Sequence, residues 1–144
     1  MSRWRAGSWR GARRPRVFEL REAFDWLSGA CLYGDGEVRI DGVSTDTRSV
    51  RTGDLFVALR GERFDAHDFL AQAQTAGSAA VMFERWVPGI RVPAIRVADS
   101  RRALGELACG WRRRFALPLI TVAGANGKTT VKEMVSAILA AHYG

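Results

Sequence analysis

Apolar positions recur along this chain in two rhythms. Over residues 18–27, Leu20, Ala23, Phe24 and Leu27 keep the i, i+3, i+4, i+7 spacing of an amphipathic helix, and Gly29 is placed to stop it. Gly34-Asp-Gly36 marks a turn. Val38, Ile40 and Val43 then suggest a short strand broken at Asp41-Gly42. Leu55-Phe-Val-Ala-Leu59 and Ala79-Ala-Val-Met-Phe83 are continuous apolar runs, which suits strands buried on both faces, and Ala94-Ile-Arg-Val-Ala98 reads as a further strand. Helical periodicity returns over residues 68–76, closed by Gly77. Asp99 or Ser100 can cap a helix reaching about residue 115, with Leu104, Leu107, Ala108 and Trp111 on one face. Pro118 opens one more apolar strand, Leu119-Ile-Thr-Val-Ala123, and residues 129–142 are helical through Val131, Met134, Val135, Ile138 and Leu139. Strands alternating with helices predict an α/β architecture. A small α/β domain fills residues 17–116, and the first strand–loop–helix unit of a second domain follows over 117–144, with the boundary at Ala116-Leu117-Pro118.

Charge changes this picture at one end only. The net charge of +7 looks like a nucleic-acid signal until it is located. Arg3, Arg5, Arg10, Arg13, Arg14 and Arg16 lie in the first sixteen residues with no acid among them, so the rest of the chain is close to neutral. Residues 1–16 therefore read as a disordered basic tail, and no nucleic acid is expected as a partner. No apolar run approaches the ~20 residues of a membrane span, and none follows the basic start as a secretory signal would require, so a cytoplasmic location is expected. Cys31 and Cys109 have no metal-ligand spacing and read as two small buried apolar residues.

The chemistry is concentrated in Gly124, Ala125, Asn126, Gly127, Lys128, Thr129 and Thr130, between the predicted strand and the predicted helix. Glycines let a backbone turn tightly and present its N–H groups to phosphate oxygens, and a helix N-terminus adds its positive end to the same anion. Lys128 supplies a mobile charge for the β/γ-phosphates and is the candidate catalytic residue, and the Thr129 hydroxyl is placed to ligate Mg²⁺. ATP and Mg²⁺ are the expected cofactors. The pattern departs from the general phosphate loop at Val122, where a glycine is usual; Gly124 comes two residues later.

This variant loop resembles that of the Mur ligase superfamily, ATP-dependent amide-forming enzymes of peptidoglycan synthesis. Gly42-Val-Ser-Thr-Asp-Thr-Arg48, Gly53-Asp-Leu-Phe-Val-Ala-Leu59 and Arg60-Gly-Glu-Arg-Phe-Asp-Ala-His-Asp-Phe69 resemble the family's N-terminal domain, which holds the UDP part of the substrate. The resemblance runs from about Val17 to the C-terminus. It implies substrate contacts from Ser44, Thr45, Asp46, Arg48, Asp65 and His67, although the same residue types can simply cap and turn a loop. The Val131-Lys-Glu-Met134 continuation points to the family member that joins D-Ala-D-Ala to UDP-MurNAc-tripeptide, by way of an acyl phosphate formed with ATP. A monomer is expected. The chain reaches only Gly144, too soon after the loop for a complete enzyme, so the resemblance implies an N-terminal fragment with a truncated ATP-binding domain, inactive alone. Two alternatives stand beside it: the related ligase that adds the third amino acid to UDP-MurNAc-dipeptide, and a non-catalytic UDP-sugar-binding module.

Overall fold

A computed structural model describes residues 17–61, 65–116 and 120–143. The basic tail lies outside the described residues, as do positions 117–119 of the boundary and of the last predicted strand. In chain order the elements are β1 (Phe18–Glu19), α1 (Leu20–Asp25), β2 (Cys31–Tyr33), β3 (Arg39–Ile40), β4 (Gly42–Ser44), β5 (Asp54–Val57), a 3-10 turn (Ala66–Phe69), α2 (Leu70–Thr75), β6 (Ala80–Phe83), β7 (Ala94–Arg96), α3 (Ser100–Arg113) and α4 (Lys128–Tyr143). Of the described residues, those from Val17 to Phe115 belong to one compact unit, and those from Ala116 onward to another.

In the first unit the apolar runs do what their composition requires. β5 and β6 are buried at every position. They occupy the middle of a five-stranded sheet of order β2-β7-β6-β5-β4, in which β4, β5, β6 and β7 are mutually parallel and β2 is antiparallel to β7. Alternation along β5 divides the core. Leu55 and Val57 face a cluster with Phe18, Leu20, Ala23, Met82, Ile95, Ala103 and Leu107, which covers one side of the sheet with α1, α3 and the β1–β3 ribbon. Phe56 and Ala58 face the other side, where Ala66, Leu70 and Ala73 of the 3-10 turn and α2 close over Val81, Phe83 and Ala94. The result is a three-layer α/β/α unit, as the alternating elements predict.

Capping explains the longest helix of this unit. The Asp99 carboxylate accepts from the Arg102 N–H at 2.8 Å, and Arg112 and Arg113 sit in the last turn, at the negative end of the helix dipole. Its buried stripe is Ser100, Ala103, Leu107 and Gly110. Leu107 was expected there, but Ala108 is exposed, because the helix turns Gly110 inward to receive the Trp26 ring. Cys109 lies on the outer side of that stripe and is exposed, and Cys31 is half-buried on an edge strand, so neither thiol is the buried apolar group that was expected.

The second unit departs from expectation at its first element. Residues 120–123 form no strand. An apolar sequence becomes a strand only by pairing its N–H and C=O groups with a neighbour, and among the described residues no neighbour pairs with them. The helix after the loop does form as α4, one residue earlier than its apolar periodicity suggests. Val131, Met134, Ile138 and Leu139 along it are 45%, 60%, 65% and 40% exposed.

Candidate functional site

The described residues hold two candidate sites, one in each unit. The first lies at the carboxyl ends of β4 and β5, where open parallel sheets place their ligands. Thr45, Asp46, Thr47 and Arg48 leave the end of β4, and Ala66, Phe69 and Gln72 come from the 3-10 turn and α2. With Phe56 of β5 they line a cleft of about 590 Å³. The two polar loops singled out in the sequence thus converge on one concavity.

Hydrogen bonds fix the first loop. The Ser44 hydroxyl donates to the Asp46 carbonyl at 3.0 Å and lies 2.9 Å from the Ser49 hydroxyl. Asp46 accepts from the Arg48 backbone N–H at 3.0 Å and from its guanidinium, Nε at 3.0 Å and Nη2 at 2.7 Å. This doubly bonded guanidinium holds the Asp46 carboxyl at about 2, below its ordinary 3.8. Among the described residues Asp46 and Arg48 are the only charged ones on the cleft wall, and they neutralise each other.

Hydrogen bonds also fix the second loop. Asp65 Oδ1 accepts from the His67 backbone N–H at 3.0 Å and bonds His67 Nδ1 at 2.5 Å, while Oδ2 takes Arg85 Nη2 at 3.3 Å. The His67 backbone N–H, followed by its ring and Arg85, brings the Asp65 carboxyl down to about 2. Of the six candidate substrate residues, Thr45, Asp46 and Arg48 line the cleft. Ser44, Asp65 and His67 do not; they brace the loops from behind. Thr47, Ala66, Phe69 and Gln72 also line it and were not singled out as site residues. Thr47, Ala66 and Phe69 stand inside the two quoted motifs, whereas Gln72 carries no signal of its own.

A pH dependence follows from the two depressed carboxyls. Each ionises more readily in the folded chain than in the unfolded one, so each stabilises the fold fully above pH ~4 and loses that contribution as pH falls toward about 2. An acid titration followed by circular dichroism should show Asp65→Asn with a shallower loss of stability between pH 4 and 2 than the parent. Parallel curves would show that Asp65 does not contribute.

The second site is the glycine loop. Gly124 and Gly127 adopt φ of 152° and 75°, a region that other residues avoid. Both are needed to turn the chain from residues 120–123 into α4. Lys128 opens the helix, and its Nζ donates to the Gly124 carbonyl at 2.5 Å and the Ala125 carbonyl at 3.2 Å. The ammonium is therefore folded back over its own loop, exposed and able to swing out. Thr129 and Thr130 occupy the first helical turn, and among the described residues no non-neighbouring atom stands within 4 Å of the position a Gly127 Cβ would take. An anion could approach there. The donor set of a helix N-terminus, one lysine and a hydroxyl suits a nucleotide phosphate with a hard cation.

Comparison with known proteins decides the family. The sequence pattern described as "Mur ligase family, catalytic domain" matches residues 39–112, which include both cleft loops and stop short of the glycine loop. The chain belongs to the Mur ligase family. A curated member, UDP-N-acetylmuramoyl-tripeptide–D-alanyl-D-alanine ligase of Synechocystis, is 49% identical over 125 residues, covering 85% of this chain and 28% of the relative. The solved structure of UDP-N-acetylmuramoylalanyl-D-glutamyl-2,6-diaminopimelate–D-alanyl-D-alanyl ligase from Acinetobacter baumannii superposes with a TM-score of 0.78 at 35% identity, over 85% of this chain and 28% of that one. The MurF ligase of Thermotoga maritima in complex with ADP gives a TM-score of 0.61 at 35% identity, over 67% of this chain and 22% of that one. This Mur ligase chain thus spans between 22% and 28% of the length of these relatives.

Proposed function

We propose that this chain supplies the UDP-substrate-binding domain and the ATP phosphate loop of a ligase that joins D-Ala-D-Ala to UDP-MurNAc-tripeptide in peptidoglycan precursor synthesis. The observation that carries the reading is the convergence of Thr45–Arg48 and Ala66–Phe69 on one cleft, in a chain 49% identical to a relative of that name. In this reading residues 17–116 hold the UDP-MurNAc-peptide and residues 117–144 begin the ATP-binding domain.

The chemistry assigns work to the loop. A carboxylate oxygen of the tripeptide attacks the γ-phosphorus of ATP, and ADP leaves. The D-Ala-D-Ala amine nitrogen then attacks the activated carbonyl carbon. Phosphate departs with the cleaved C–O bond, the nitrogen loses a proton, and an amide remains. Lys128 releases the Gly124 and Ala125 carbonyls and turns its ammonium to the β/γ-phosphates, while the loop N–H groups hold the same oxygens. Such donors stabilise the transferring phosphoryl group most when held rigidly in advance. Thr129 would hold Mg²⁺, which when bound offsets charge on those oxygens. The described residues furnish the loop side of this nucleotide site, so the chain alone is expected to bind its UDP substrate without turning over ATP.

Calorimetry tests the reading on the cleft side. Titrating UDP-MurNAc-tripeptide into the chain should give weak, saturable heat, and replacing Thr45 and Arg48 together by alanine should weaken it about tenfold, the effect of losing one or two cleft hydrogen bonds. No binding at millimolar ligand would reject the proposal.

A further inference from the structure

We infer that His67 is a positioning residue, whose buried ring sets one wall of the cleft against the end of β6. His67 is 1% exposed although it lies in the short 3-10 turn near the surface cleft. Both ring nitrogens are engaged. Nε2 accepts the Glu84 backbone N–H at 2.9 Å, from seventeen residues further along the chain. An acceptor nitrogen carries a lone pair, so the ring proton stands on Nδ1 and is given to Asp65 Oδ1 at 2.5 Å. The flanking Ala66 and Phe69 line the cleft, and the ring between them does not. Neither nitrogen is free for a ligand. What His67 controls is the placement of the Ala66–Phe69 wall opposite Thr45–Arg48.

The bracing continues on both sides of the ring. Arg85, next to Glu84, bonds Asp65 at 3.3 Å and Asp68 at 2.9 Å, so the residues after β6 grip the 3-10 turn at three points. The Glu84 carboxylate in turn accepts the Ser100 N–H at 2.8 Å, at the start of α3. A continuous set of hydrogen bonds therefore joins the cleft wall on one face of the sheet to the long helix on the other. Surface ion pairs such as Arg85–Asp68 are individually weak, and the buried ring is the member whose loss would leave the half-buried Glu84 N–H unpaired.

That His67 tunes substrate affinity rests on the functional reading above, and the test separates the two. In the chain as it stands, His67→Leu keeps an apolar body without a hydrogen bond, and His67→Gln offers Oε1 as acceptor for the Glu84 N–H. With folding checked by circular dichroism, the leucine variant should bind UDP-MurNAc-tripeptide about tenfold more weakly, as expected for one lost bond at the wall. Amide exchange at residues 66–69 should quicken while residues 80–83 stay protected, and the glutamine variant should return both toward the parent. A folded leucine variant with parental affinity and exchange would overturn the inference. So would equal loss of affinity in both variants without faster exchange at 66–69, because that result would mean the ring touches the ligand itself. If the leucine variant does not fold, Asp65→Asn carries the test: faster exchange at 66–69 supports the positioning role, and unchanged exchange overturns it. If the parent chain binds no UDP-MurNAc-tripeptide, the functional reading fails, and exchange at 66–69 in the His67 variants still decides the role of the ring.

Discussion

Truncating Phe83 to alanine should destabilise the chain by about 3–5 kcal/mol, the usual range for removing a fully enclosed aromatic side chain. Phe83 is 0% exposed at the end of β6, packed with Phe56, Leu70 and Val81. Its ring also meets Trp86 edge-on, 5.5 Å between centroids at 79°. The cavity left behind would be lined by apolar groups, so water would not fill it usefully. A domain of this size holds only about 5–15 kcal/mol in total. Urea denaturation should show the midpoint falling by about a fifth or more with the slope unchanged. A loss below about 1.5 kcal/mol would mean that Trp86, itself 54% exposed, moves in to fill the space.

Two glycines on one helix should respond to alanine with opposite signs. At Gly110 a Cβ would lie 2.3 Å from Trp26 Cγ and 2.7 Å from Trp26 Cβ. Those atoms are near the root of the side chain, so no rotation at its tip relieves the clash. Trp26 would have to leave its place against Phe18, where the rings meet at 5.5 Å and 74°. Overpacking of this kind costs about 1–3 kcal/mol and the lost ring pair about 0.5–1.5 more, against roughly 1 kcal/mol gained in helix propensity. Gly110→Ala should therefore lose about 0.5–3.5 kcal/mol. At Gly105 nothing lies within 4 Å, so Gly105→Ala should keep the propensity gain and stabilise by up to ~1 kcal/mol. Thermal melts of the pair, with tryptophan emission to follow Trp26, check both signs. A neutral Gly110→Ala would show that α1 and α3 are not locked by this contact.

The residues whose environment is set locally were the ones that could be read from the sequence. Val57 and Val81 sit in apolar runs that only a doubly covered strand tolerates, and Asp99 caps α3 by a bond three residues long. β2 was not foreseen, because Cys31–Tyr33 has neither alternation nor length and is a strand only by virtue of its pairing with β7. The opposite error has the same cause: residues 120–123 have the composition of a strand and, among the described residues, no partner. At the cleft, the Ser44–Arg48 and Asp65–His67 motifs were recognisable, but which of their side chains point inward was not. His67 turns away from the cleft because its acceptor nitrogen meets a backbone N–H seventeen residues later, a pairing that no local pattern announces. Ala108 is exposed and Gly110 buried for a related reason, since the Trp26 ring needs a notch that a helical wheel does not show.

The place of β7 in the sheet orders the assembly of the chain. β7 lies between β6 and β2, and Cys31 finds its partner only in Arg96, across most of the domain's length. Contacts so distant in sequence are formed late and slowly. During synthesis the first helix and the ribbon before β4 must wait, with Phe18, Leu20 and Ile40 uncovered, until β7 and α3 have both been made. A nascent chain halted before Arg96 would lack the strand on which both of its neighbours rest. Its apolar runs at 55–59 and 79–83 would then present open edges to any other chain nearby, which makes this interval the one in which aggregation competes most directly with folding.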